Sequence, residues 1–358
     1  MADITELIRR VPKSELHVHL RGAMPAPVFR GLLDKYAGEP VALRASEGNM
    51  DWFRQYDNIR PFLGSEHWSE GDVVRLFQSD TFDQFLATFC FVGYFVRDDA
   101  DLDSLVDGVL ASLRAQNVVY AEITISVKEY VRQGIGLASL VRCLDRAASS
   151  PGIRVQWIVD LVRDFGVESG LRLLDEISEF KSPSIVGITI GGSEHLFPPE
   201  QFAEVYRSAR DKGLRLTVHA GEGLGPESVW EALKLGVERI GHGVRAVEDP
   251  ALVRHLAELG IPLEVCPTSN LRTGMYGSYS EHPVRLLFEA GVPITINSDD
   301  PTFFGTSLVD EYMHLQSAGV DERGLAQMLK NGFLYAFLPQ NDIRAYLDDL
   351  ETALGGSA

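Results

Sequence analysis

Cysteine is scarce: Cys90, Cys143 and Cys266 are the only three in 358 residues, too scattered for a disulfide framework, and no CxxC pair offers a zinc ribbon. Basic side chains are also outnumbered. Against 51 Asp and Glu stand 33 Lys and Arg, a formal net charge of −18. A chain this acidic repels phosphate backbones and anionic lipid, which argues against nucleic acid or a membrane surface as partner, while a local site can still bind a small molecule. Long apolar runs are missing. The longest, FLATFCFVGYFV from Phe85 to Val96, falls well short of the roughly 20 residues a membrane span needs. The opening MADITELIRRVPKSELHVH lacks the apolar core of a signal peptide, so the expected location is cytoplasmic. Low-complexity segments, linkers and internal repeats are absent too, and no GxGxxG follows the first apolar run, which speaks against a dinucleotide-binding sheet.

What is present is a rhythm. Short β-branched runs alternate with helical stretches: ELHVHL (15–20), VVYAEITI (118–125), RVQWIVDL (154–161), SIVGITI (184–190), LRLTVHA (214–220), VERIGHG (237–243), IPLEVCP (261–267) and VPITINSDD (292–300). Near-continuous apolar strands between helices indicate a parallel sheet covered by helices. From the fourth run onward they recur about every 20 to 35 residues, the size of a strand–helix unit, and eight such units close more naturally into a barrel than an open sheet. The expected fold is α/β, a TIM (β/α)8 barrel forming a single domain over 1–358. Roughly a hundred residues separate the first two strands, and there TFDQFLATF puts Phe82, Phe85, Leu86 and Phe89 on one helical face. That face either packs on the barrel or belongs to a helical cap, inserted at about 25–115, that walls an apolar pocket over the barrel mouth.

The polar residues that interrupt this pattern sit at strand ends, where barrels of this kind build their active sites. His17 and His19 are two apart on a strand, so both imidazoles face one side and reach one metal. His219 closes the fifth strand with a third nitrogen and Asp299 the eighth with an oxygen. Three nitrogens and a carboxylate, with room for water, suit one catalytic zinc per chain, without excluding iron or manganese. Glu222, three residues past His219 in HAGE, has Gly221 to permit a tight turn. It fits a general acid/base beside an activated water, or an acid at a helix N-terminus. His242, between two glycines in GHG, either ligates or acts on that water; with four ligands already counted, the second role is preferred. Asp300 follows Asp299 directly and is a substrate contact or a partner that fixes a histidine tautomer. A zinc-activated water attacks an electron-poor carbon, and a nearby carboxylic acid that protonates a ring nitrogen makes that carbon more electrophilic; zinc nucleobase deaminases follow this logic with other ligands.

ELHVHLRGA, TVHAGE, ERIGHG, LEVCPTSN and SDDP occur in the order found in the adenosine deaminase family of the amidohydrolase superfamily, which the chain resembles from residue 15 to about 306. The resemblance implies a zinc-dependent barrel that converts a 6-aminopurine nucleoside to the 6-oxo product and ammonia. It implies zinc on His17, His19, His219 and Asp299, and protonation by Glu222 of the ring nitrogen beside the reacting carbon. It further implies that His242 orients or deprotonates the water, that Asp300 contacts ring nitrogen 7, and that the backbone of Gly192, in ITIGGSE, contacts the purine. Phe82, Phe85, Leu86 and Phe89 fall where the family's cap forms an apolar pocket. One departure concerns Arg21, where the family carries an acid facing the sugar end of the substrate. A guanidinium donates to an anion, often bidentately. A carboxylate-bearing nucleoside such as aminodeoxyfutalosine, or a nucleotide 5′-phosphate, would satisfy it; an Arg21 that turns to solvent or pairs with a nearby acid would leave adenosine as the substrate. A hydrolase of the same superfamily acting on another amide or amidine is the further alternative. A second departure is Ser193, where the family often has an acid, and nothing in the sequence explains it.

Overall fold

The computed structural model describes residues 4–39, 45–64, 68–79 and 81–355. Eight strands run in chain order around one parallel sheet: β1 Lys13–His19, β2 Val118–Ile125, β3 Arg154–Asp160, β4 Ile185–Thr189, β5 Arg215–Ala220, β6 Arg239–His242, β7 Leu263–Val265 and β8 Ile294–Ile296. The sheet closes on itself through Asp299, three residues past the end of β8. Val18 bridges Asp299 in parallel, the His19 amide donates to the Asp299 carbonyl at 2.9 Å, and the Asp299 amide donates to the His17 carbonyl at 3.0 Å. The expected TIM (β/α)8 barrel is therefore the observed one. All eight expected strands exist; β2 spans its expected run, β1 begins two residues earlier and ends one earlier, and the other six are shorter by one to six residues where the chain turns out of the sheet.

Helices ring the barrel because their apolar residues recur at three and four. Leu137–Ala148 buries Leu140, Val141, Cys143, Leu144 and Ala147 and leaves charged residues outside. The barrel interior is not wholly apolar. Arg239 on β6 donates through Nε to Glu264 Oε1 at 2.5 Å and pairs with Glu122 on β2, and all three side chains are buried. Lys13 is likewise buried and satisfied by the Ile8 and Val11 carbonyls at 2.7 and 2.8 Å. These buried charges persist because each is paired or hydrogen-bonded.

Between β1 and β2 lie the helices Ala26–Lys35, Glu47–Phe53, Pro61–Gly64, Glu70–Leu76, Phe82–Gly93 and Asp99–Ala115. The last packs on β2 and on Leu137–Ala148, as part of the outer ring. Residues 40–44, 65–67 and 80 of the expected insertion, and 1–3 and 356–358 of the expected domain, lie outside the described residues. Among the described residues no helix is long and apolar enough to cross a membrane.

Candidate metal centre and catalytic pocket

His17, His19, His219 and Asp299 come from β1, β5 and the turn after β8, and they meet. His17 Nε2 and His19 Nε2 lie 3.5 and 3.2 Å from Asp299 Oδ1, and His19 Nε2 is 3.3 Å from His219 Nε2. Two of the rings are aimed from behind: Glu264 Oε2 holds His17 Nδ1 at 2.8 Å and Thr189 Oγ1 holds His219 Nδ1 at 3.1 Å. Such partners fix the tautomer and leave Nε2 for an ion. His17 Nε2 and Asp299 Oδ1 are buried without a hydrogen-bond partner. Burial alone would lower His17, yet the Asp299 and Glu264 carboxylates push it up to about 10, so the pocket recruits positive charge. Three imidazole nitrogens and one carboxylate, two of their donor atoms left without a hydrogen-bond partner, fit a divalent ion of the zinc type. Cys266 also reaches this cluster, and its Sγ faces the Glu264 carbonyl at 3.6 Å.

Two of the strand-end residues are strained. His242 and Asp299 have φ of 59° and 61°, the left-handed region that non-glycine residues avoid. Such backbone costs on the order of 1–3 kcal/mol and gathers at functional sites. For Asp299 the turn directs its side chain to the ion site while its peptide closes the barrel. For His242 it brings Nε2 to 3.5 Å from Glu222 Oε2 and 3.9 Å from Asp299 Oδ2.

Glu222 is a quarter exposed, and burial, Asp299 and Glu194 raise its carboxyl to about 8. Burial and the neighbouring Asp299 likewise raise Asp300 to about 8, and Asp300 Oδ1 is buried with no partner. Gly22 makes room for it, since a Cβ there would lie 1.7 Å from Asp300 Oδ1. Gly192 has φ +99°, and a Cβ would meet Asp164 Oδ2 at 2.1 Å, so only glycine fits.

Phe82, Phe85 and Phe89 form a ladder with centroids 5.8 and 5.9 Å apart, and Phe85 meets Phe304 at 4.9 Å, just beyond the Asp299–Asp300 turn. The core face of their helix is a different one, Ala87, Thr88, Phe91 and Val92. Leu86 is half-buried beside the ladder. Arg21 is buried, pairs with Glu129 Oε2 at 2.5 Å, and lies under Phe89 and Tyr130 at 4.8 and 5.6 Å from their centroids. With His19, Thr124 and Ser126 these residues line a small recess beside the ion site. The pairing of Arg21 with a nearby acid is thus observed.

The pattern of strand ends did not reveal the groups that hold these residues in place. Glu194 accepts backbone N–H bonds from Gly221 at 2.7 Å, Glu222 at 3.3 Å, Gly223 at 2.6 Å and Leu224 at 3.0 Å, and a bond from Ser228 Oγ. It clamps the whole loop that carries Glu222, and it stands next to the unexplained Ser193. Asp160, Arg163, Glu264 and Asn270 play similar parts; of these, only Glu264 and Asn270 lay inside a quoted motif, LEVCPTSN.

The family model for adenosine deaminase matches residues 66–353. The chain belongs to the adenosine deaminase family. An aminodeoxyfutalosine deaminase of Streptomyces coelicolor is 34% identical over 98% of this chain and 86% of its own length. An adenine deaminase of Agrobacterium fabrum is 33% identical over 92% of this chain and 94% of its own. In fold, an adenine deaminase from Arthrobacter aurescens superposes with a TM-score of 0.83 at 24% identity, covering 96% of this chain and 99% of that one. As an adenosine deaminase family member, the protein is a hydrolase that deaminates adenine-type substrates.

Proposed function

We propose that the protein catalyses zinc-dependent hydrolytic deamination of a 6-aminopurine nucleoside bearing an acidic group at its 5′ end, with aminodeoxyfutalosine as the model substrate. The observation that carries the chemistry is the meeting of three imidazole nitrogens and the Asp299 carboxylate, two of whose donor atoms, His17 Nε2 and Asp299 Oδ1, are buried without a hydrogen-bond partner. His17, His19, His219 and Asp299 hold the ion. Zinc bound there supplies the Lewis acidity that makes water nucleophilic at neutral pH. Glu222, held protonated by burial and its acidic neighbours, gives its proton to ring nitrogen 1, which draws electrons from carbon 6. Water adds to carbon 6, the carbon–nitrogen bond to the exocyclic amine breaks, and ammonia leaves. Asp300, protonated at neutral pH and without a partner, donates to ring nitrogen 7. The Gly192 backbone meets the purine, and Phe82, Phe85, Leu86 and Phe89 wall the pocket as a cap over the barrel mouth.

Two observations support the acidic 5′ group. Arg21 replaces an acid at the sugar end and keeps a buried Nε without a partner, and the relatives include aminodeoxyfutalosine deaminases 34% and 35% identical to this chain. The Arg21–Glu129 pair favours a second reading, in which the recess is neutral and takes plain adenosine. Ammonia release from aminodeoxyfutalosine, adenosine, adenosine 5′-monophosphate and adenine separates them. The proposal expects kcat/KM highest on aminodeoxyfutalosine, lost on chelation and restored by zinc. Equal turnover of adenosine would remove the 5′ assignment, and full activity in metal-free protein would remove the mechanism.

A further inference from the structure

Behind His242 runs a buried chain of side chains whose hydrogen-bond directions are fixed at its far end. The Val284 amide donates to His282 Nδ1 at 3.2 Å. A backbone N–H can only donate, so His282 Nδ1 is the bare nitrogen and the ring proton sits on Nε2. That Nε2 faces Asn270 Oδ1 at 3.0 Å. The Asn270 amide nitrogen then faces His242 Nδ1 at 3.2 Å, and also lies 3.5 Å from the Met275 sulfur. Turning the amide over would set N–H against N–H at His282 and oxygen against sulfur at Met275. Asn270, His282 and His242 are all buried, so no solvent competes for these bonds. Burial also pulls His282 to about 3, which keeps that ring neutral. His242 Nδ1 therefore accepts, and Nε2, the nitrogen facing Glu222 and Asp299, carries the proton.

We propose that Asn270 and His282 are positioning residues that lock His242 in the Nε2–H tautomer, so that His242 donates a hydrogen bond to the attacking water oxygen rather than taking its proton. The proposal rests on the catalytic reading of His242 given above. The proton balance then runs through Glu222. Its carboxyl gives a proton to ring nitrogen 1, the resulting carboxylate takes one proton from the adding water and passes it to the exocyclic nitrogen, and as the carbon–nitrogen bond breaks and ammonia leaves, the remaining proton of the carbon-6 hydroxyl returns to Glu222, which leaves the 6-oxo product and restores the carboxyl. Every one of these transfers uses the side chain 3.5 Å from His242 Nε2, and His242 stays neutral throughout.

The test uses the zinc-loaded enzyme labelled with 15N-histidine, with His242 assigned by difference from His242→Gln. The expected spectrum shows Nδ1 bare and Nε2 protonated; a protonated Nδ1 overturns the proposal, and because this is read in the wild-type protein it survives any variant that fails to fold. Kinetics give the second arm. Asn270→Asp is isosteric, satisfies His282, and demands a proton on His242 Nδ1. It is expected to lower kcat about 10,000-fold, the scale of a wrong catalytic tautomer, with KM and zinc content unchanged. Asn270→Ala removes the lock without imposing the wrong tautomer and is expected to lose only about 10- to 100-fold. A loss in Asn270→Ala equal to or greater than that in Asn270→Asp signals a merely structural role and overturns the proposal. Full activity in His242→Ala would instead defeat the catalytic reading while leaving the tautomer spectrum as found.

Discussion

Substituting Glu129 by Gln separates the two readings of the sugar-end recess. Arg21 is 6% exposed and Glu129 24%, and their bond of 2.5 Å gives this buried guanidinium its carboxylate partner. Removing one member of a buried charge pair costs about 2–5 kcal/mol, and the partial exposure of Glu129 puts this pair at the low end, about 2 kcal/mol. Glu129→Gln should thus melt a few degrees lower than the parent in thermal unfolding without ligand. An anionic substrate would reverse that order. Its carboxylate must displace Glu129 in the parent but meets an unpaired Arg21 in the variant, and the unbonded Nε beside the paired nitrogen allows two parallel bonds. If most of the 2 kcal/mol is returned on binding, KM for aminodeoxyfutalosine falls by about tenfold or more in Glu129→Gln, since 1.4 kcal/mol is a factor of ten. KM for adenosine stays the same. Steady-state ammonia release on both substrates reads this directly. A raised KM for adenosine with no change for aminodeoxyfutalosine would refute the reasoning, because it would make Glu129 the acceptor for the sugar hydroxyl and Arg21 only its support.

Three further outcomes follow from the geometry. Glu222→Gln keeps the shape of the side chain but cannot deliver a proton, so kcat should fall by about 100- to 10,000-fold with zinc content unchanged, and an unaltered rate would reject Glu222 as the acid. Glu194→Gln replaces the shared acceptor of four backbone amides with a group that presents N–H to some of them; kcat should drop about 10- to 100-fold with zinc content kept, and a rate within twofold of the parent would show that the Glu222 loop holds itself. Glu311, raised to about 7 by burial despite bonds from Thr268 and Thr306, binds a proton in the folded state that the unfolded chain has already lost above about 4.5. Its contribution therefore declines as pH rises from 4.5 to 7, and Glu311→Gln should gain melting temperature over the parent at pH 8 but not at pH 4.5; an equal difference at both pH values would refute this.

The barrel and its candidate ion site were legible because both are written in local patterns. A strand announces itself in a few consecutive residues, and His17, His19, His219, His242, Asp299 and Asp300 mark where strands end. The groups that aim those residues were not legible, because their role exists only in three dimensions. Glu264 reaches His17 across 247 positions of chain, and Glu129 reaches Arg21 from a helix after the next strand. Glu194 sits one residue from a position that seemed anomalous, Ser193, and the acid that matters to the loop is the neighbour. Asn270 lay inside a quoted motif, but its amide direction has meaning only once Val284 and His282 are placed beside it. Arg21 was legible as a departure and illegible as a pair.

The strain at Asp299 joins stability to catalysis. Its amide and carbonyl make the hydrogen bonds that close β1 against β8, to the His17 carbonyl and from the His19 amide, while its carboxylate meets both of those histidines. One left-handed residue thus sets the barrel seam and the spacing of three of the four proposed ligands in the same move. A barrel that opened at this seam would lose the ion site at once, and an ion bound to His17, His19 and Asp299 would pin the seam shut. Metal binding should therefore stabilise the closed barrel as a whole, beyond the loops at its mouth. Hydrogen exchange at the His19 and Asp299 amides reports this: both should be markedly more protected with zinc than after chelation, and equal protection in the two states would uncouple the seam from the site.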